Sequence, residues 1–309
     1  MKNEEFGQFR ISNDLLDDPK RLGEIYQKEG YLYFRDILDK SAVLRVKEDF
    51  IGELQKQGYV KAGVAEPIWT GLESDSIDSD KLYLLSSFEE LIELQSLRQC
   101  LEKVYNGPVR ISPSIGLRYA FPEESKYLTP IHQDAYFIRQ TDMFGMLWIP
   151  LMDINSEVGG LAVASGSNND GLFNHASIDD VYSYSFKGRN QSGILPSAIK
   201  RPWLTIDYRL GDVLLFHSRT AHRAIANTSD RIRLSLNTLC QHEESPVMWQ
   251  SEQKQLYLKK HRIDLKRIAD EEGASEELFE RLHIEAMKRG VEAKRDLVKA
   301  LLTELRSVT

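Results

Sequence analysis

The sequence predicts a mainly β protein with flanking helices (α+β), built around a double-sheet jelly roll. Two observations support this fold class. Short segments of strand character, punctuated by Gly, Asp, Asn or Pro, fill the middle of the chain, a pattern typical of a sandwich or barrel. Apolar residues at helical spacing precede and follow them. For these 309 residues we expect one domain over 1–309, with a helical part at 1–108, the jelly roll at 109–245 and a helical extension at 246–309.

The N-terminal part predicts two amphipathic helices and one strand. Leu22, Ile25 and Tyr26 have helical spacing, and Gly30 ends that segment. The aromatic stretch at 31–34 then predicts a short strand. The second helix passes through Val43, Val46, Phe50 and Leu54 to Gly58, and residues 82–105 predict further helix.

The central part predicts seven short strands, which a jelly roll would bury between two sheets. They cover residues 109–119, 136–138, 143–152, 160–164, 203–208, 213–216 and 232–239. Between the fourth and the fifth strand, residues 166–201 are rich in Ser, Asn, Asp and Gly. A loop this long in a compact domain usually serves function, so we expect a lid there.

The C-terminal extension predicts helices with breaks at Gly273 and Gly290. Their apolar positions are Leu278, Leu282, Ile284, Ala286, Met287, Leu297, Leu301 and Leu305. The sequence does not indicate whether this extension packs on the jelly roll or on a second subunit, so a homo-oligomer stays open.

Composition argues against several classes of protein. The net charge of -7, from 40 basic and 47 acidic residues, disfavours a nucleic-acid or anionic-membrane surface. Cys100 and Cys240 are too few and too distant for a disulfide framework or a zinc site. Because the sequence also shows no signal-like leader and no apolar run of about 18 residues, we expect a cytoplasmic protein.

A candidate metal site lies at His132 and Asp134. Residues two apart in a strand point to the same face, so both side chains can reach one ion while Gln133 points away. One imidazole and one carboxylate supply two thirds of a two-His-one-carboxylate triad. The third ligand is then a distant histidine, and spacing alone leaves His217 and His222 as alternatives.

A candidate anion site lies on the last predicted strand. Ile232, Leu234 and Leu236 alternate with a polar face of Arg233, Ser235 and Asn237. A buried polar face needs partners, and the fork of an arginine matches a carboxylate. The alternative is an exposed strand whose arginines pair with nearby acids.

Four blocks of the sequence resemble the phytanoyl-CoA dioxygenase family of iron(II)- and 2-oxoglutarate-dependent oxygenases. They span roughly residues 20–240, and their order and spacing are specific. They are the Gly30-Tyr31 strand, Thr129-Pro130-Ile131-His132-Gln133-Asp134, Trp148 through Gly159-Gly160 to Gly166-Ser167-Asn168, and Gly211-Asp212 through His222 to Arg233. One departure is Asn168, where the family usually has histidine.

This resemblance implies a cupin-like double-stranded β-helix core and a set of site residues. The iron ligands would be His132, Asp134 and His222, with His217 structural or close behind the ligands. Arg233 would bind 2-oxoglutarate, with Arg231 ranked second. Ser235, Thr129 and Gln133 would contact the co-substrate, and the candidates for substrate contact are Arg118, Tyr136, Arg139, Trp148 and Trp203.

The resemblance also implies the reaction. Iron(II), 2-oxoglutarate and O2 would oxidise, most simply hydroxylate, a C–H bond of a small molecule while oxoglutarate becomes succinate and carbon dioxide. Related halogenases lack the carboxylate ligand, so Asp134 predicts oxygenation. The remaining alternatives are a non-catalytic cupin-like protein that binds a metal or small ligand, a zinc hydrolase, and a structural or interaction protein that acts through its helical tail. The first two have no need of Arg233.

Overall fold

The computed structural model describes most of the chain. It describes residues 6–72, 77–78, 82, 85, 87–112, 115–122, 128–138, 144–177, 192–245, 262–289 and 294–307. Contacts divide the chain into two compact units, Met1–Ile77 with Leu85–Met248 and Asp78–Leu84 with Trp249–Thr309. The first unit contains both main sheets, and the second contains the C-terminal helices. The expectation of a single domain over 1–309 stays a prediction.

The first unit begins with the predicted helices and strand. They are β1 (Gly7–Gln8), α1 (Pro19–Glu29), β2 (Tyr31–Phe34) and α2 (Lys40–Lys56). The carboxylate of Asp18 caps α1 by accepting from the Arg21 amide at 3.0 Å, and Asp39 caps α2 in the same way. Every apolar position predicted for the two helices is buried. The predictions for this region are therefore confirmed.

Two predicted elements are divided in the structure. The helix expected at 82–105 contains α3 (Ser87–Ile92) and α4 (Gln95–Tyr105), with Leu94 in an extended conformation between them. The strand expected at 109–119 is β3 (Val109–Ile111) and β4 (Gly116–Ala120). These two strands pair with opposite ends of one long strand, β12 (Arg233–His242), which is why they are separate.

The larger sheet has six strands in the order β2-β10-β5-β12-β3, with β4 also on β12. Its centre consists of β5 (Gly145–Pro150), β10 (Val213–His217) and β12. The smaller sheet has the order β1-β9-β6-β11, from β6 (Leu161–Ala164), β9 (Trp203–Thr205) and β11 (His222–Ala224). Side chains of the two sheets pack against each other, because the ring centroids of Phe216 in β10 and His222 in β11 lie 4.5 Å apart. This arrangement confirms the jelly-roll core.

One local expectation is wrong, and one strand was not predicted. Residues 136–138 were expected as a strand, but Asp134–Phe137 form one helical turn, α5, in which the Ile138 amide donates to the Asp134 carbonyl at 2.9 Å. Strand β11 was not expected, because its three residues carry no alternating pattern. The unexpected turn begins at Asp134 and the unexpected strand begins at His222, so both contain a candidate metal ligand.

The predicted lid, residues 166–201, is described only at its two ends. A 3₁₀ turn at Ser167–Asp170 precedes β7 (Ala176–Ser177), which pairs antiparallel with β8 (Ser192–Gly193). The amide of Asn168 is nearly buried and donates to the Gln27 carbonyl at 2.8 Å, a structural role at the position where the family has histidine. Residues 178–191 lie outside the described residues, and the lid stays a prediction.

The second unit is helical. Residues 262–271 are helical and precede α6 (Glu276–Arg289) and α7 (Arg295–Arg306). Gly273, with φ of 66°, provides the predicted break between residues 262–271 and α6. The core includes Leu265, Phe279, Leu282 and Val298. Two positions predicted as apolar contacts are exposed instead, Ile284 by 53% and Leu297 by 47%, and Gly290 lies outside the described residues. Among the helices that the structure describes, every one is too short or too polar to cross a lipid bilayer.

Candidate metal centre

Two histidines from distant parts of the chain lie side by side. His132 and His222 form an isolated antiparallel bridge, in which each backbone amide donates to the carbonyl of the other at 3.0 Å. Since His222 begins β11, His132 extends the smaller sheet beyond that strand. The ring centroids lie 4.0 Å apart. The backbone therefore sets the distance between the two imidazoles.

Each imidazole is oriented by a carbonyl two residues earlier. The Nδ1 atom of His132 lies 2.8 Å from the Pro130 carbonyl oxygen, and Nδ1 of His222 lies 3.0 Å from that of Thr220. A carbonyl oxygen can only accept, so both Nδ1 atoms carry the proton. Burial, and then the neighbouring His222, hold the pKa of His132 well below its usual value. Both Nε2 atoms thus present a lone pair.

The carboxylate of Asp134 lies close to both Nε2 atoms. Its Oδ1 lies 3.7 Å from His132 Nε2, and its Oδ2 lies 3.5 Å from His222 Nε2. Gln133 is extended, with φ of -120° and ψ of 130°, so the predicted same-face geometry is right although Asp134 begins a helical turn. That turn is hydrogen-bonded to the segment that precedes His222, because the Ala135 amide donates to the Ser218 carbonyl at 3.0 Å.

The donor set fits a divalent metal ion. One ligand atom from each of the three side chains lies within 4.8 Å of the others. Asp134 Oδ2 is buried and accepts no hydrogen bond from a described residue. Three lone pairs that converge without a proton repel one another, and a cation at their centre removes that repulsion. Two imidazoles and one carboxylate are the ligands of non-haem iron(II).

The structure places His217 outside this group. Its Nδ1 accepts from the Arg219 amide at 3.0 Å, and its ring lies 6.0 Å from that of Tyr26. Burial lowers the pKa of His217. Between the two histidines that spacing left open, only His222 joins His132 and Asp134.

Arg233 is a buried cation at the start of β12. Its side chain is 5% exposed, and Nη1 donates to the carbonyls of Gly159 and Gly160 at 3.1 and 3.2 Å. Its Nε is buried and donates to no described residue, and no described carboxylate pairs with it. Burial lowers its pKa to about 10, which leaves it charged at neutral pH. A buried, incompletely paired guanidinium favours a carboxylate ligand.

Arg231, ranked second from the sequence, has a different environment. It lies before β12, and its guanidinium is 3.9 Å from Glu66 at the surface. The geometry therefore favours Arg233 as the anion site.

The three other predicted co-substrate residues differ in position. Ser235 is buried on the same face as Arg233, and its hydroxyl donates to the Arg118 carbonyl at 3.4 Å. Thr129 is exposed, and its carbonyl accepts from the Ala224 amide at 3.2 Å. Gln133 is fully buried with its amide on backbone groups, which supports a structural role instead of co-substrate contact.

The substrate candidates are dispersed. Arg118 on β4 is exposed and is the register partner of Ser235 on β12, and its charge lowers the pKa of both His132 and Arg233. Trp148 is buried against Tyr208, with ring centroids 4.7 Å apart. Trp203 lies beneath the Arg223 guanidinium at 4.8 Å. Tyr136 lies within α5, the turn that Asp134 begins, and Arg139 lies outside the described residues.

Sequence reasoning missed two residues near the metal ligands. Phe137 is 53% exposed, and its ring lies 5.9 Å from that of His132. His175 stacks on Tyr136 with ring centroids 3.9 Å apart. His175 lies in a polar loop without periodicity, so no local pattern could have identified it. The Gly159-Gly160 pair that binds Arg233 did carry a signal, because it lies within the third block of the family resemblance.

Comparison with known families decides the class. The model of the phytanoyl-CoA dioxygenase (PhyH) family matches residues 26–235, which contain all three metal-ligand candidates and Arg233. The chain belongs to the phytanoyl-CoA dioxygenase family. This oxygenase therefore uses iron and 2-oxoglutarate, as the sequence predicted, and the zinc-hydrolase and non-catalytic interpretations are not supported.

Curated relatives share most of their length with this oxygenase. A 1-deoxypentalenic acid 11-beta-hydroxylase of Streptomyces arenae is 29% identical over 245 residues, covering 76% of this chain and 86% of the relative. The enzyme of the same name from Streptomyces exfoliatus is 30% identical over 243 residues, covering 74% and 82%. Both relatives are hydroxylases by name.

Solved structures share the fold. The epimerase SnoN, crystallised with Fe3+, alpha-ketoglutarate and nogalamycin RO, has a TM-score of 0.52 and 21% identity, over 73% of this chain and 84% of its own. The non-haem monooxygenase ThoJ has a TM-score of 0.52 and 15% identity, over 72% and 78%. At these identities the likeness concerns the fold alone, and it confirms the cupin-like core expected for this oxygenase.

Proposed function

We propose that this oxygenase hydroxylates a C–H bond of a small molecule at an iron ion bound by His132, Asp134 and His222. The observation that carries the proposal is the convergence of two imidazole lone pairs and an unpaired carboxylate oxygen. Three protein ligands leave positions open for the co-substrates. When bound, iron and oxoglutarate supply the oxidising power for the C–H bond.

Arg233 anchors the distal carboxylate of oxoglutarate in this proposal. The Gly159 and Gly160 carbonyls fix one arm of its guanidinium, and Nε is left to bind the ligand. Burial strengthens the charge-assisted pair and excludes water. Ser235, buried two residues along the same face, would exchange its long hydrogen bond to the Arg118 carbonyl for one to the same carboxylate.

The substrate that fits this surrounding is a small, largely apolar molecule with one anionic group. Phe137 presents an exposed ring beside a metal ligand. Arg118 is exposed opposite Ser235 of β12, and it forms no ion pair with a described residue. The names of the curated relatives state an acid as their substrate, which supports this class.

Location in the cytoplasm is part of the same proposal. Cys100 and Cys240 are both buried and free, as in proteins of a reducing compartment. Homo-oligomerisation stays open.

The proposal is tested by turnover under labelled O2. The purified protein is incubated with Fe(II), oxoglutarate and a panel of cyclic carboxylic acids, in chloride and bromide buffers. We expect one succinate for each product, with one labelled oxygen atom in the product and no halogen, because Asp134 occupies the position that halide would need. Slow succinate release without substrate is also expected, and Asp134→Ala should abolish it. No succinate under any condition, or a halogenated product, would contradict the proposal.

A further inference from the structure

Gln133, between two metal ligands, joins three segments of the chain. Its side-chain Nε2 donates to the Gly171 carbonyl at 2.9 Å and to the Arg219 carbonyl at 2.6 Å. Its Oε1 accepts from the Phe173 amide at 2.8 Å. The side chain is completely buried. The Nε2 end of the amide therefore contacts both the segment before His222 and Gly171, and the Oε1 end contacts Phe173.

His175 completes the same link from the other side. Its Nε2 accepts from the Gln133 backbone amide at 3.2 Å, and its Nδ1 lies 2.9 Å from the Phe173 carbonyl. These partners require the neutral ring with the proton on Nδ1, and burial lowers the pKa of His175 in the same direction. The ring thus has one defined tautomer and one defined orientation.

The ring of His175 also covers the turn that contains Asp134. It lies parallel to Tyr136, with 12° between the planes, and its centroid is 5.8 Å from that of Phe137. Both aromatic residues belong to α5, the turn that Asp134 begins. Hydrogen bonds before Asp134 and ring contacts after it therefore fix the carboxylate from two sides.

We propose that Gln133 and His175 form a clasp that positions Asp134 for the metal and couples the order of residues 171–175 to metal binding. The clasp rests on the proposed function only through the role of Asp134 as a ligand. Groups that orient metal ligands typically change metal affinity by about 10–100-fold when they are removed. Because coupling is reciprocal, a metal that fixes Asp134 must also stabilise the segment attached to Gln133.

Cobalt(II) titration and amide hydrogen exchange test this proposal. His175→Phe keeps a ring on Tyr136 but removes the acceptor for the Gln133 amide, and His175→Gln restores an acceptor. We expect His175→Phe to weaken cobalt(II) binding about tenfold. His175→Gln should recover most of that loss, whereas a merely space-filling role would favour Phe over Gln. In the wild type, cobalt(II) should slow exchange of the Phe173 amide.

His242→Phe is a matched control, because His242 also accepts a backbone amide, that of Glu244 at 3.2 Å, and lies at the end of β12. It should bind cobalt(II) as the wild type does. Equal affinities in the His175→Phe and His242→Phe proteins would overturn the proposal. The proposal would also be overturned if cobalt(II) left the exchange rate of the Phe173 amide in the wild type unchanged. That measurement needs no variant. A wild type that binds no cobalt(II) at all would instead contradict the proposed function.

Discussion

The backbones of His132 and His222 donate to each other, N to O at 3.0 Å in both directions. This pair joins two segments that lie 90 positions apart in the sequence and aligns their side chains toward one carboxylate. Because backbone atoms make the link, a side-chain substitution removes a ligand and leaves the link in place. Histidine variants of this oxygenase should therefore report on metal binding and not on folding.

Replacement of Arg233 should mainly affect oxoglutarate. The variant Arg233→Ala removes a buried guanidinium whose hydrogen bond to a charged partner is worth about 1.5–3 kcal/mol, or roughly 10–100-fold in affinity. We expect the KM for oxoglutarate to rise by that factor, with a smaller change in the rate at saturation. Succinate formation against oxoglutarate concentration measures both.

The control for that variant is Arg231→Ala. Its guanidinium pairs with Glu66 at the surface, 3.9 Å away. Exposed ion pairs contribute little to stability, and Arg231 is not the residue assigned to oxoglutarate. The KM for oxoglutarate should therefore stay within about twofold of the wild type. A large rise with Arg231→Ala and none with Arg233→Ala would reassign the anion site.

Asp212 is predicted to be a main support of the first unit. Its buried carboxylate accepts from the Tyr33 hydroxyl, from Arg35 Nη1 at 2.6 Å and from the Arg209 amide at 2.7 Å. Removal of one partner of a buried pair costs about 3–5 kcal/mol. We expect Asp212→Ala to lower the free energy of unfolding in urea by that amount. Asp14→Ala, which breaks an exposed pair with Arg10, should cost less than about 1 kcal/mol.

Buried tyrosines should make this oxygenase sensitive to alkali. Burial raises the pKa of Tyr33, as does its partner Asp212, and burial also raises that of Tyr208 and Tyr105. Unfolded tyrosine titrates near 10, so this stabilisation is complete below about pH 10 and is lost as the pH rises further. The free energy of unfolding should fall above pH 10, and less steeply in Tyr33→Phe. A flat profile in the wild type would contradict the assignment.

Gly30 should not tolerate a side chain. Its φ is 75°, and a Cβ atom there would lie 2.4 Å from Asn168 Oδ1 and 2.5 Å from Thr220 Oγ1. A left-handed conformation alone costs an L residue about 1–2 kcal/mol. We expect Gly30→Ala to lower the free energy of unfolding by at least that amount.

Gly52 provides the matched comparison. It lies within α2, and an added Cβ would contact nothing within 4 Å. Alanine there should raise the free energy of unfolding by about 0.5–1 kcal/mol, because glycine is unfavourable within a helix. Equal effects of the two alanine substitutions would show that neither the backbone conformation nor the neighbours of Gly30 matter.

Regular elements were predictable from the sequence because their side-chain periods are local. Helices α1 and α2 and strand β10 follow from spacing, capping residues and glycine. The turn at Asp134 was not predictable, because the aromatic residues after it favour a strand. Its helical conformation depends on distant partners, such as the Ser218 carbonyl that accepts from the Ala135 amide.

The site was predictable in its chemistry but not in its full composition. Spacing left His217 and His222 as alternatives, and the backbone pairing with His132 decides between them. The alternating strand offered Arg233 as a candidate and the family resemblance selected it, whereas His175 had no pattern to identify it. Its role depends on contacts with Gln133 and Tyr136, which lie about 40 positions earlier in the sequence.

Iron(II) bound by His132, Asp134 and His222 should chelate oxoglutarate. The most direct measurement adds iron(II) and then oxoglutarate to the purified protein without oxygen and records the weak visible charge-transfer band of the chelate. We expect a band in the wild type and in His217→Ala, and none in His132→Ala or His222→Ala. A wild type without the band, or a band that survives in His222→Ala and is lost in His217→Ala, would contradict this expectation.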